Sequence, residues 1–329
     1  MAAPTLADLT DWRTARELGT GASATVRLVG TRASSPVQQF ALKVVDKAKI
    51  VGQQQLTRLY REKDLLTAIS HPFIVTLHAT LKDETHLYFL LDLLPGGELL
   101  WHMRQDRRSR VPALDAKITL GTLLLPLQHL HSMGIMYRDL KPTNILFTAA
   151  GRLTLVDLGH AKRIDGPIDE ERSTSICGTP HYHAPETVRG DGHGFPAQLW
   201  ALGVLLVEMI SGRPPFWEGG GFPPLREQIA KADPDLIPLP EDAKPLAQDL
   251  LLADPRPRRA AFPGNGYDGV RSHSWFSDLN WAGIEDGTVV PNFSFARACA
   301  ETMGVEDDDK ANAHGTDDMA SLTEVFKDF

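Results

Sequence analysis

Tyr137-Arg138-Asp139-Leu140-Lys141-Pro142-Thr143-Asn144 carries a carboxylate, an ammonium and an amide within one short stretch. Twelve residues later comes Asp157-Leu158-Gly159, and further on Ala184-Pro185-Glu186. These residue types in this order suit transfer of a phosphoryl group from ATP. Asp139 orients and deprotonates an acceptor hydroxyl, Lys141 places a cation beside the moving group, and Asn144 with Asp157 offers oxygen ligands to Mg2+. Each tripeptide alone occurs in unrelated proteins. The three in sequence, behind a lysine-bearing strand and a glycine-rich loop, argue strongly against coincidence.

The remainder of the chain bounds the setting. Of 329 residues, 42% are apolar, enough for one large two-lobed domain with a substantial core. Forty-two acidic against thirty-four basic residues give a net charge of −8, which argues against nucleic acid or an anionic membrane as main partner and leaves room for a basic peptide. The two cysteines, Cys177 and Cys299, are too few for a disulfide framework, so a reducing, cytoplasmic setting is expected, with nuclear entry compatible. The start, Met1-Ala2-Ala3-Pro4, shows neither a secretory pattern nor a myristoylation glycine. The longest apolar run, Leu199 to Ile210, contains Glu208 and is too short to span a bilayer; it reads as a buried helix.

Hydrophobic patterning predicts an α+β, bilobal fold. Residues 12–92 read as a small sheet interrupted by one helix around Leu56 to Ile69, and residues 93–276 as a helical lobe punctuated by Pro and Gly. Residues 1–11 precede the first lobe. From Ser277 to Phe329 the chain turns polar and acidic, including Glu306-Asp307-Asp308-Asp309, as in a surface-wrapping tail.

The motifs resemble those of eukaryotic protein kinases. In that frame, Leu18 to Val26 is the glycine-rich loop, with Gly19, Thr20, Gly21, Ala22 and Ser23 around the phosphates and Ala24 in place of its third glycine. Phe40 to Val45 is a strand carrying Lys43, and Glu62 on the following helix is its ion-pair partner. The resemblance implies an adenine site at Val26, Ala41 and Leu146, a gatekeeper at Leu91, and a hinge from Asp92 to Leu94.

Asp46-Lys47-Ala48-Lys49, Leu94-Pro95-Gly96-Gly97-Glu98, Tyr137 at the head of the catalytic loop and Cys177-Gly178-Thr179-Pro180 narrow the likeness to the AGC group. The end, Phe326-Lys327-Asp328-Phe329, is similar to that of the cAMP-dependent kinase catalytic subunit. By that resemblance, Glu98 and Glu208 receive substrate arginines, with Glu98 also at the nucleotide; Thr143 stands at a third such position. Ile176, Pro180 and His183 line the pocket for the residue after the acceptor. Ser175, beside Thr174, is the phosphosite candidate, with Arg138, Lys162 and Arg58 to hold the phosphate. Implied partners are basic protein substrates, a cAMP-binding regulatory subunit and an upstream activating kinase.

Three departures keep an alternative open, a weakly active or inactive nucleotide-binding scaffold: Ala24, Gln198 where kinases hold aspartate, and Pro126 inside a predicted helix, where proline costs about 3 kcal/mol unless relieved. The segment between Asp157 and Cys177 is about five residues longer than in the resembled subunit and includes Asp169-Glu170-Glu171. Arg258 is expected to pair with Glu186. A small-molecule kinase is disfavoured by the Cys177 to Glu186 segment, the peptide platform of protein kinases.

Overall fold

The structure, a computed structural model, describes residues 5–21, 24–32, 37–50, 52–164, 173–216 and 222–303. Ala22, Ser23, the 169–171 acidic triplet, the 306–309 run and the terminal aromatics lie outside the described residues.

Alternation builds the first lobe. Strands β1 (Glu17–Thr20), β2 (Ala24–Gly30), β3 (Gln39–Asp46), β4 (Leu77–Lys82) and β5 (His86–Asp92) form an antiparallel sheet in the order β1-β2-β3-β5-β4. In β3, Phe40, Leu42 and Val44 are buried with Leu9, Val29, Tyr88 and Leu90. Period two therefore turns Ala41, Lys43 and Val45 to the opposite face, toward the second lobe. Helix α1 (Gln53–Ala68) packs there, burying Leu59, Glu62, Leu65 and Leu66 at a spacing of three and four.

The second lobe is helical: α2 (Leu99–Met103), α3 (Ala113–Ser132), α4 (Pro185–Arg189), α5 (Pro196–Ser211), α6 (Phe222–Lys231), α7 (Lys244–Leu250), α8 (Pro255–Ala260), α9 (Tyr267–Arg271), α10 (Trp281–Glu285) and α11 (Phe295–Met303). Two short pairs, β6 (Ile135–Met136) with β9 (Lys162–Arg163) and β7 (Ile145–Phe147) with β8 (Leu153–Leu155), frame the stretch 137–144 between them. Twelve of the sixteen residues of α5 are buried, so this apolar run is the lobe's central strut, and no described helix is long and apolar enough to cross a membrane.

Two sequence oddities resolve through packing. Helix α3 runs unbroken past Pro126, which is itself buried among Leu123, Leu124, Leu127 and Leu130. Apolar burial there outweighs the lost backbone bond, since tertiary packing supplies most helical stability in proteins. Arg258, fully buried, donates both Nη groups to Glu186 (2.8 and 3.2 Å) and further bonds to the carbonyls of Leu252, Pro196 and Ala253.

Beyond Phe276 the described chain is bound to the second lobe rather than trailing. Lys117 Nζ donates to Asp278 (2.7 Å), the Asn292 N–H to Asp115 (2.7 Å), and Phe293 stacks on His102 with ring centroids 4.6 Å apart.

Candidate active site

A cleft of about 550 Å³ separates the lobes, within the size range of small-molecule sites. Of the residues predicted to touch nucleotide, Gly19, Gly21, Val26, Ala41, Lys43, Leu91, Asp92, Leu94, Glu98, Asn144, Leu146 and Asp157 line it. Thr20 does not; its hydroxyl turns to Glu17 Oε1 at 2.5 Å. Ala22 and Ser23 fall outside the described residues. The cleft also takes a wall that the motifs did not point to: Trp101 from α2 with Ala298 and Thr302 from α11. No signal short of the fold brings residue 298 to residue 101.

Lys43 Nζ meets Glu62 Oε1 at 2.6 Å, with Glu62 only 5% exposed. Burial works against the ammonium, yet the Glu62 and Asp157 carboxylates outweigh it and raise the Lys43 pKa; burial raises that of Glu62 against the pull of Lys43. Asp157, backbone in the left-handed region at φ 56°, accepts the Gly159 N–H at 3.1 Å. Burial would lift its carboxyl, but Lys43 and that N–H hold it below the ordinary value.

Asp139 is 2% exposed and gripped by three side chains. Lys141 Nζ donates to Oδ2 at 2.7 Å, Asn144 Nδ2 to Oδ2 at 3.0 Å and to the Asp139 carbonyl at 2.8 Å, and Thr179 Oγ1 to Oδ1 at 3.2 Å. The Asn144 amide nitrogen is thus engaged, while its side-chain oxygen accepts no hydrogen bond among the described residues. Gly178, at φ 89°, passes so close that a Cβ would lie 2.6 Å from the Arg138 carbonyl; a side chain there would push the loop off Asp139.

The loop's backbone is held from below by Gln198, whose Oε1 accepts the Tyr137 N–H at 2.7 Å, while its buried Nε2 has no hydrogen-bond partner among the described residues. An amide in place of a carboxylate therefore supplies one acceptor and strands one donor. Arg138, itself at φ 69°, donates Nε to the His160 carbonyl and Nη1 to two hydroxyls, Ser175 (2.9 Å) and the fully buried Ser173 (3.0 Å). Arg58 acts electrostatically on Arg138, and Lys162 on His193, so the three cations expected near Ser175 gather in one neighbourhood. Ser173 was legible only as one of several loop hydroxyls; its backbone bridge to His193, 2.8 and 2.9 Å, is what brings it in.

The substrate-side residues are more dispersed. Glu208 accepts the Tyr182 hydroxyl, and burial raises its carboxyl. Glu98 lies exposed at the head of α2. Ile176 is 60% exposed, Pro180 opens the turn Pro180–Tyr182, and the His183 ring nitrogen sits 2.9 Å from the Cys177 carbonyl.

Two histidines make stability acid-sensitive. Burial, then Arg138, depresses His193 to about 4, and burial with His129 does the same to His71. The unfolded chain binds these protons near pH 6.5 while the fold refuses them until about 4, so stability is whole above about 6.5 and falls as pH drops toward 4. Urea denaturation at pH 5 should show a loss of up to about 1.4 kcal/mol per pH unit below 6.5 from buried His193, and a smaller one from half-buried, solvent-screened His71. An unchanged midpoint at pH 5 would contradict it.

A sequence profile described as Protein kinase domain matches residues 12–276. A cAMP-dependent protein kinase catalytic subunit of Dictyostelium discoideum is 36% identical over 287 residues, 86% of this chain and 43% of that protein. Serine/threonine-protein kinase AtPK2/AtPK19 of Arabidopsis thaliana is 36% identical over 86% of this chain and 58% of its own length. The human cAMP-dependent protein kinase catalytic subunit PRKX is 35% identical over 88% and 78%. The chain spans about half the length of the first relatives it matches.

Proposed function

The chain belongs to the protein kinase family, and on that premise we propose that it is a serine/threonine protein kinase moving the γ-phosphoryl of ATP to Ser or Thr in arginine-containing proteins. The observation that carries this reading is Asp139, a buried carboxylate held by Lys141, Thr179 and Asn144, the last of which lines the cleft together with the Lys43–Glu62 pair and Asp157.

In this reading Asp139 orients the acceptor hydroxyl and takes its proton as the new O–P bond forms and the bond from the γ-phosphorus to the bridging oxygen breaks, releasing ADP. Lys141, already 2.7 Å from Asp139, places positive charge beside the transferring group. Lys43, fixed by Glu62, holds phosphate oxygens, while Val26, Ala41 and Leu146 clasp the base. Asp157 and the amide oxygen of Asn144 are hard oxygen donors in one cleft, which fits Mg2+. When bound, that ion screens the charge of the phosphate oxygens. Glu98 and Glu208 receive substrate arginines; Thr143 lacks a carboxylate, so the demand for arginine is strict three residues before the acceptor and relaxed one residue closer.

The test is transfer of labelled phosphate to an arginine-position peptide library. Turnover peaking with arginine three residues upstream is expected. Nucleotide binding without transfer to any peptide selects the scaffold reading, to which the stranded Gln198 donor would then be the pointer. The likeness to cAMP-dependent catalytic subunits extends the proposal to an inhibitory cAMP-binding partner, checked by co-purification on immobilised cAMP, and to an activating kinase acting at Ser175.

A further inference from the structure

The seven residues after α2, Arg104-Gln105-Asp106-Arg107-Arg108-Ser109-Arg110, set four arginines against one aspartate in a chain of net charge −8. All four arginines are exposed. Among the described residues none of them makes a direct ion-pair contact, though Arg104 acts at longer range on Glu98 and Arg110 on Asp106, whereas Arg13, Arg27, Arg189, Arg213, Arg258 and Arg271 each do.

The loop is pinned. Asp106 Oδ2 accepts the N–H groups of Arg108 (2.9 Å) and Arg110 (3.3 Å), and its carbonyl accepts that of Ser109 (2.9 Å). The Val111 N–H then bonds the Met209 carbonyl at 2.7 Å. Gly212, at φ 84°, lies so near that a Cβ would fall 1.9 Å from the Arg108 carbonyl. These contacts stitch the loop to the end of α5 beside Glu208. Its other end continues from α2, which Glu98 opens, and Arg104 acts electrostatically on the Glu98 carboxylate. The backbone that carries the guanidiniums thus runs from the helix that Glu98 opens to the turn after Glu208, the two carboxylates assigned to substrate arginine.

We propose that this loop is a docking surface for an acidic stretch in the peptide substrate, flanking the arginine that Glu98 and Glu208 receive. The inference rests on the kinase reading above and narrows its substrate class. A uniformly basic peptide is drawn by the two glutamates and repelled by the loop; a peptide of mixed sign satisfies both, and sign complementarity of this kind selects partners.

Two peptides of equal length test it, each with arginine before the acceptor serine and an N-terminal flank of either four glutamates or four glutamines. KM for the glutamate-flanked peptide is expected to be lower by about fivefold to tenfold, as several exposed charge pairs together provide, and this gap closes in 0.5 M salt. In Arg107→Ala/Arg108→Ala the gap shrinks to within about twofold, with kcat and the KM of the glutamine-flanked peptide unchanged. Equal KM values in the native chain, or a gap that survives the double substitution, overturn the docking. So does discrimination that emerges only when Glu306, Asp307, Asp308 and Asp309 are changed to amides, because the loop would then be serving this chain's own acidic run. Absence of transfer to both peptides strikes the kinase reading instead. Equal binding of the two peptides to the Asp139→Asn chain, followed by fluorescence anisotropy, strikes the docking alone.

Discussion

Asp139→Asn is expected to lower kcat by about a thousandfold, the middle of the range for loss of a positioned general base, while nucleotide Kd moves less than about threefold. Asparagine keeps the volume of the side chain and one oxygen to accept from Lys141 and Asn144 at the Oδ2 position, while its amide nitrogen faces Thr179 Oγ1, a hydroxyl that can turn from donating to accepting. What it removes is the proton acceptor. Because the residue is 2% exposed and its neighbours stay hydrogen-bonded, the fold should persist, and a melting curve run beside the kinetics checks this. Turnover within tenfold of the native chain would mean that the hydroxyl's proton leaves by another route. The proposed mechanism would not survive that result.

Arg258→Ala is expected to cost about 3–5 kcal/mol of stability, the usual penalty for stranding one member of a buried ion pair. Arg258 is wholly inaccessible, and Glu186, at 2%, would lose two charge-assisted bonds. The carbonyls of Leu252, Ala253 and Pro196 would lose their donor as well, unfastening α8 from α4 and α5. Urea denaturation followed by tryptophan fluorescence reads the loss directly. Arg258→Met combined with Glu186→Gln should recover roughly half of it, since no naked charge then remains buried. A single-variant loss below about 1 kcal/mol would show that water reaches the pair.

The motifs announced the grouping of Asp139, Lys141 and Asn144 because their contacts are local. Asp139, Lys141 and Asn144 sit within six residues of one another, and the alternation of β3 already set Lys43 on the face opposite Phe40, Leu42 and Val44. Glu62 was readable as its partner because the helical stretch that carries it follows the strand. What escaped was decided by contacts between distant segments. Thr20 belongs to the loop's pattern, yet its hydroxyl found Glu17. Pro126 looked disruptive because propensity is counted residue by residue, whereas the leucines around it bury together. Ala298 and Thr302 reach the cleft only because Phe293 and Phe295 seat their segment on the second lobe, and nothing in residues 291–303 read in isolation says so.

That seating also bears on how the chain can be divided. Gly151 has no side chain where Phe295 lies, His102 stacks on Phe293 and meets Phe147 edge-on, and Asp115 caps the backbone of Asn292. Ending an expressed fragment at residue 276, where the family profile stops, would unroof these rings and open one side of the nucleotide cleft to water. A fragment that keeps this wall of the cleft therefore extends through α11, and fragments cut shorter should be sticky and hold nucleotide poorly.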